Sequence, residues 1–203
     1  MSDYPAFPKM PRLRRNCVVS EKIDGSNGLI FIEPFDVQSP TLATHSMVGV
    51  HPDTGEPFFI YAGSRSRWLR PVKNEDNFGF AAWVNANADE LVKLGPGHHY
   101  GEWWGQGIQR TYGLKEKKFS LFNSHRWADP AVRPACTDVV PILYSGVFED
   151  AAISTALLNL EIYGSKAAPG FFDPEGIVVW HEASKQSFKV TCKNDERAKG
   201  NEG

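Results

Sequence analysis

The sequence predicts an α+β fold, on three observations. Short apolar runs dominate, turn clusters separate several of them, and two longer segments carry helical periodicity. The short runs lie at 17–20, 28–33, 58–62, 99–104, 118–122, 139–144, 175–181 and 186–191. Clusters such as His51-Pro52-Asp53-Thr54-Gly55 and Pro169-Gly170 punctuate them, which favours strands over helices. Residues 78–94 place Phe78, Ala81, Ala82, Leu91, Val92 and Leu94 at mostly helical spacing, with Asn77 as the expected N-cap and Gly95-Pro96 as the stop. Residues 149–163 set Ile153, Ala156, Leu157 and Leu160 on one face and end at Gly164. No repeat or low-complexity linker appears, and the polar tail from Asn194 to Gly203 is expected to fray.

With 203 residues, the chain is expected to form a single domain spanning 1–203. A formal net charge of −2 argues against a protein that coats nucleic acid non-specifically, while leaving room for a local basic groove. Cys17, Cys136 and Cys192 are far apart and odd in number, with no CxxC pair, so neither a zinc knuckle nor a disulfide framework is expected. The N-terminal MSDYPAFPKMPRLRR has no signal-length apolar core and no stretch is long enough to span a bilayer, so the cytoplasm is the default compartment.

Residues 20–28, SEKIDGSNG, set a lysine, two carboxylates and two glycines at the joint between two apolar runs. A charged hairpin tip is the plain reading. The chemical reading starts from Lys22, because an amine in a site that lowers its pKa is a nucleophile. Asp24 shares its face if the strand continues that far, and Asn27 offers an amide to a sugar or phosphate. Arg65 and Arg67, interleaved with serines, suit a phosphate clamp. Glu102, set between aromatics and three glycines in Tyr100-Gly101-Glu102-Trp103-Trp104-Gly105-Gln106-Gly107, suits ribose hydroxyls, and one of Trp103 and Trp104 is expected to be structural. Phe119 offers a ring to a purine, with Phe122 as the alternative should Phe119 belong to the core. Glu175-Gly176 at the mouth of an apolar strand suits a carboxylate directed at a metal or a sugar, and Lys189 would be costly to bury without a phosphate partner. The histidines lack metal-ligand spacing.

In this order the segments resemble the motif series of the covalent nucleotidyltransferases, the nucleic acid ligases and mRNA capping enzymes. Lys22-Ile23-Asp24-Gly25 is similar to the family's K-x-D-G motif. Glu21, Lys22, Gly25 and Asn27 resemble the E-K-x-x-G-x-N of the nick-sealing RNA ligases common in phages. Arg65, Glu102, Phe119, Glu175-Gly176 and Lys189 follow in the expected order, with one departure: Thr191 stands where K-x-K has its second lysine, and Lys193 is a possible substitute.

The resemblance implies an ATP-grasp-like nucleotidyltransferase core of two antiparallel sheets with flanking helices; ligases of this class generally carry a further C-terminal domain, but only ten residues follow Lys193 here, so no C-terminal OB-fold or helical domain is expected. It implies an ATP-dependent RNA ligase that works through a lysyl-AMP intermediate and joins 5′-phosphate and 3′-hydroxyl ends. Lys22, Glu175 and Lys189 are the implied catalytic residues. Glu21, Ile23, Asn27, Arg65, Glu102, Phe119 and Lys189 are the implied nucleotide-binding residues, and Glu175 the metal-directed one. ATP and Mg²⁺ or Mn²⁺ are the implied cofactors, and RNA, including a nicked duplex, the implied substrate. Arg65, Arg67, Arg70 and Lys73 are expected to grip the strand, aided by a helper protein or a dimer. A DNA ligase, a capping guanylyltransferase and a non-catalytic nucleotide or nucleic-acid-end binding module are the competing readings.

Overall fold

A computed structural model describes residues 7–36 and 45–193; the expected fraying of 194–203 lies outside them. The chain forms two compact units. The first comprises Met1–Lys22, Ile142–Lys166 and Phe172–Gly203, and the second Ile23–Pro141 and Ala167–Phe171. Among the described residues, each unit carries one sheet.

The first unit holds β1 (Asn16–Lys22), β9 (Ile142–Val147), β10 (Gly176–His181) and β11 (Gln186–Thr191), in the order β11-β10-β1-β9, with every neighbouring pair antiparallel. Strand alternation gives this sheet a dry face and a wetter one. Cys17 and Val19 of β1 with Ile177 and Val179 of β10 form the dry face, packed against Ala156 and Leu160 of α3 (Asp150–Tyr163). Ile153 and Leu157 pack there partly buried, so this helix has the expected bounds and face.

The second unit holds β2 (Ser26–Pro34), β3 (Ser46–Val50), β4 (Pro57–Gly63), β5 (Trp68–Leu69), β6 (Gly97–Gly105), β7 (Lys117–Leu121) and β8 (Asp138–Val139). Their order is β3-β4-β2-β6-β7-β8, with β5 beside β4. The β7–β8 pair is parallel, so this sheet is mixed rather than purely antiparallel. One face packs on the helical segment α1 (Phe80–Ala86) and α2 (Ala88–Leu91), through Ile30, Ile32, Ile60, Phe80, Val84, Leu91, Trp103 and Phe119 among others.

β1 and β2 lie in different sheets, which excludes the hairpin reading of residues 20–28. β1 ends at Lys22 and Asp24 lies in the following connection, so strand parity does not relate the two side chains. Gly25 is needed in that connection: a Cβ there would come within 2.6 Å of the Trp103 carbonyl oxygen and 2.9 Å of Glu102 Cγ. The run at 139–144 is two strands in two units, because Pro141 has no N–H to continue a ladder. The helix expected over 78–94 breaks at Asn87, whose side-chain amide donates to the Trp83 carbonyl at 2.8 Å. At its start the Asp76 carboxylate accepts from Ala81 N at 2.7 Å and Ala82 N at 3.1 Å, while Asn77 contributes its backbone carbonyl, to Phe80 N at 3.0 Å, and not its side chain. β3 and β5 were not anticipated; they are only five and two residues long.

Trp103 and Trp104 face opposite sides of β6 and both are buried, so both are structural. Phe119 is fully buried against Phe80 and Trp83, with ring centroids 5.2 and 5.7 Å away. Gly28 and Gly101, facing each other across β2 and β6, leave the space it fills: a Cβ on either would lie within 2.8 Å of the Phe119 ring. Phe119→Ala should therefore cost about 3–5 kcal/mol, the usual range for a buried Phe cut to Ala, read as a lowered urea midpoint with little change in slope.

Candidate active site

β1 sorts its last two residues by parity. Glu21 points to the helix side, where it is 1% exposed. Its carboxylate accepts from Ser165 Oγ at 2.5 Å and from the Lys166 backbone N–H at 2.8 Å. Lys22 points to the opposite face, where Nζ lies 2.6 Å from Glu175 Oε2. The two side chains keep 26% and 14% of their surface exposed, so the pair is shielded but reachable.

The register places the last-motif residues on Lys22's face. Lys22 pairs with Gly176, which pairs with Thr191 on its other side; one row further, Ser20, Val178 and Lys189 align. Lys189 is exposed, so the burial cost raised from sequence does not arise. Gly176 sits at φ 151°, and a Cβ there would clash with the Val190 carbonyl. The glycine thus lets β11 close on the strand end that presents Glu175, whose carbonyl accepts from Cys192 N at 2.9 Å. Lys193 lies beyond the end of β11 and donates to Asp173 Oδ1 at 2.5 Å. Thr191, not Lys193, therefore occupies the row of Lys22.

The second unit carries a polar row of its own. Asn27 stands opposite Glu102, and Glu102 opposite Ser120. Arg65 Nε donates to Asn27 Oδ1 at 2.9 Å, and Asn27 Nδ2 faces Glu102 Oε2 at 3.4 Å. Ser120 Oγ accepts from Trp104 Nε1 at 2.9 Å. This row supplies a guanidinium, an amide and a largely buried carboxylate, the donors and acceptors that phosphate and sugar hydroxyls call for. Asp24 is fixed beside it: Arg110 Nε donates to its Oδ2 at 3.0 Å, and its backbone N–H donates to the Tyr112 hydroxyl at 2.7 Å.

Three expected nucleotide contacts are corrected. Phe119 lies on the helix side of β7, the face opposite Ser120 and Glu102, and is walled in by the core. Phe122, 43% exposed and bonded through its N–H to the Tyr100 carbonyl, follows Ser120 on the Glu102 face. The Glu21 carboxylate is committed to Ser165 and Lys166, and the Ile23 side chain is packed with Trp104, Tyr112, Val140 and Ala168. In the expected gripping group, Glu75 engages Arg67 through its carbonyl at 2.9 Å and Arg70 through its carboxylate at 2.8 Å. Arg110, Tyr112, Ser165 and Lys166 were not singled out from sequence; they lie 86–145 positions from their partners and carry no local signal.

No helix of the described residues is long and apolar enough to cross a membrane. Among them, no group of three or more His, Cys, Asp or Glu side chains could hold a metal ion alone. A Mg²⁺-type site needs only one or two carboxylates when substrate phosphates supply the rest, and Glu175 fits that role.

The first unit thus carries a lysine paired with a carboxylate, and the second, taken by itself, a row of guanidinium, amide and carboxylate. The RNA ligase family model matches residues 15–198, and the chain belongs to the RNA ligase family. Its fold is similar to Naegleria gruberi RNA ligase described with ATP and Mn, with a TM-score of 0.55 and 20% identity over 89% of this chain and 50% of that one. A form with AMP and Mn gives 0.55 and 19%, over 88% and 50%. A form with PPi gives 0.52 and 18%, over 89% and 50%. The chain thus spans about half the length of these structures. No curated protein matches it.

If Glu21 anchors the end of β1, Glu21→Ala should leave the Ser165 hydroxyl and Lys166 N–H without this acceptor. A loss of about 1–3 kcal/mol is expected in urea unfolding, the usual penalty for stranding buried polar groups.

Proposed function

We propose that the chain is the nucleotidyltransferase portion of an ATP-dependent RNA ligase and that Lys22 carries the adenylyl group. The observation that carries this reading is the Lys22–Glu175 pair at 2.6 Å, on the sheet face that also bears Lys189. Membership in the RNA ligase family supports it, as does the description of similar structures with ATP, AMP and Mn.

In the first step the neutral Lys22 amine attacks the α-phosphorus of ATP. An N–P bond forms, the bond from the α-phosphorus to its bridging oxygen breaks, and pyrophosphate leaves with the electron pair. Glu175 orients the amine and is the nearest acceptor for its proton. In the second step an RNA 5′-phosphate oxygen displaces Lys22 from the adenylyl group. In the third a 3′-hydroxyl attacks the activated phosphate and releases AMP. Each step is a phosphoryl transfer, where positioning and charge neutralisation supply most of the rate. Glu175 would hold a divalent cation brought with the nucleotide phosphates, and that cation would supply part of the charge neutralisation. Lys189 and Arg65 hold phosphate oxygens, Asn27 fixes the Arg65 guanidinium, and Glu102 accepts from the ribose hydroxyls. Phe122 takes the stacking role first assigned to Phe119, because its ring is open on the Glu102 face.

The test is incubation with α-labelled ATP or GTP and Mg²⁺ or Mn²⁺, followed by a denaturing gel. ATP should label the protein, and Lys22→Ala and Lys22→Arg should abolish the label, since a guanidinium stays protonated. Label that persists in folded Lys22→Ala would sink the reading; label from GTP alone would replace it with a capping-type one. Phe122→Ala should weaken ATP use by about 1–3 kcal/mol, the range for base–aromatic stacking, and Phe122→Tyr should restore it. The check is the ATP concentration giving half-maximal labelling.

A further inference from the structure

We propose that the face of the second sheet bearing Asn27 and Glu102 continues into a stacking platform for unpaired bases of the RNA strand being joined; this rests on the ligase reading for the identity of the strand. Moving along that face from the Asn27–Glu102–Ser120 row, the next row holds Leu29 and Tyr100, with Gly63 on β4. The row after that holds Phe31 and His98, with Tyr61 on β4. Same-face rows are two residues apart, roughly 6.6–6.8 Å. Aromatic rings therefore begin one row from Glu102 and continue without a break.

The rings form a connected surface. Phe31 stacks on His98 with centroids 4.5 Å apart, and His98 lies 12° from parallel to Tyr100 at 6.3 Å. On the other side Trp68 packs against Phe31 at 6.1 Å and Tyr61 at 5.6 Å. Gly63 makes this possible: a Cβ there would lie 3.3 Å from both Leu29 and the Trp68 ring. Tyr100 keeps 55% of its surface exposed, Trp68 40% and Phe122 43%, and His98 is exposed as well. Tyr61 is buried beneath them, and large rings in mid-sheet are ordinarily covered, so the open Tyr100, His98 and Trp68 form a surface awaiting a ligand.

Charge and hydrogen-bonding capacity favour a nucleic acid strand as the occupant. Arg65 is exposed beside the polar row at one end of the stripe. At the other, beyond Leu121, a cleft of about 160 Å³ is lined by His98, Tyr100, Phe122, Asn123 and Arg126, among others. The Arg126 guanidinium, itself exposed, lies 4.7 Å over the Trp127 ring. Aromatic faces for bases flanked by cations for phosphates is the chemistry of single-strand recognition, and the stripe shares its sheet face with the proposed nucleotide-binding row.

The test uses fluorescence anisotropy of a labelled, 5′-phosphorylated single-stranded oligoribonucleotide of mixed sequence, titrated with the full chain over a salt series. Trp68→Ala and Tyr100→Ala should each weaken binding about tenfold, within the range of base–aromatic stacking. Tyr100→Phe should restore it. The slope of log affinity against log salt should stay that of the unaltered chain, because no phosphate contact is removed. Unchanged urea midpoints would confirm that the exposed substitutions leave the fold intact. Unaltered binding by a folded chain carrying both Trp68→Ala and Tyr100→Ala would overturn the platform, as would no binding of the single strand by the unaltered chain. Loss of self-association in sedimentation, with RNA binding unaffected, would overturn it in favour of a contact between copies. Labelling of Lys22 by ATP is scored separately. If it fails while the aromatic variants still lose RNA binding, the ligase reading falls and the platform stands.

Discussion

The position of the proposed nucleophile depends on a carboxylate buried on the other side of its strand. Glu21 is sealed on the dry side of β1 and ties the strand end to Ser165 and Lys166. Because successive side chains on a strand alternate, fixing Glu21 inward fixes Lys22 outward. The register with β10 then sets Lys22 in the row of Gly176 and Thr191 and brings it to Glu175. A carboxylate in the core is costly unless its oxygens are satisfied, and here each oxygen has a donor, so the strand cannot slip or flip without stranding them.

The second unit works by a similar division of faces. Gly28 and Gly101 yield their side-chain space to Phe119 on the helix side, while their neighbours Asn27 and Glu102 project on the other. Packing on one face therefore aligns the polar row on the opposite one. Gly25 lets the connection after β1 pass close to β6, and Arg110 with Tyr112 pins Asp24 there. The aromatic stripe shares this scaffold, so its rings are set by the same strand registers as Asn27 and Glu102.

Much of this was legible in the sequence because it is local. The runs that became β1, β2, β4, β6, β10 and β11, and the helix ending at Gly164, carry their periodicity within a few residues. The K-x-D-G segment, Glu102, Glu175 and Lys189 are likewise readable as ordered residue types. Which of two phenylalanines in Phe119-Ser120-Leu121-Phe122 faces Glu102 is not local. It follows from Glu102 pairing with Ser120, a register set between β6 and β7. The same limit applies to Glu21, whose partner is 144 positions away, and to Asp24, whose arginine is 86 away. The break at Asn87 escaped because apolar spacing reports a helical face and not whether the axis is continuous.

The first unit is assembled from three separated stretches of chain, whereas the second is nearly contiguous. Among the described strands β1 leaves the ribosome before the others, yet its ladder partners β9 and β10 begin at Ile142 and Gly176. The second unit's strands are all made in the interval, so its sheet can form while β1 waits with its edges bare. Closing so long a loop is slow relative to local pairing, and an unpaired strand edge invites association with other chains. The lysine strand is thus made first and completed last, which places the vulnerable stage of synthesis in the interval before β10 arrives.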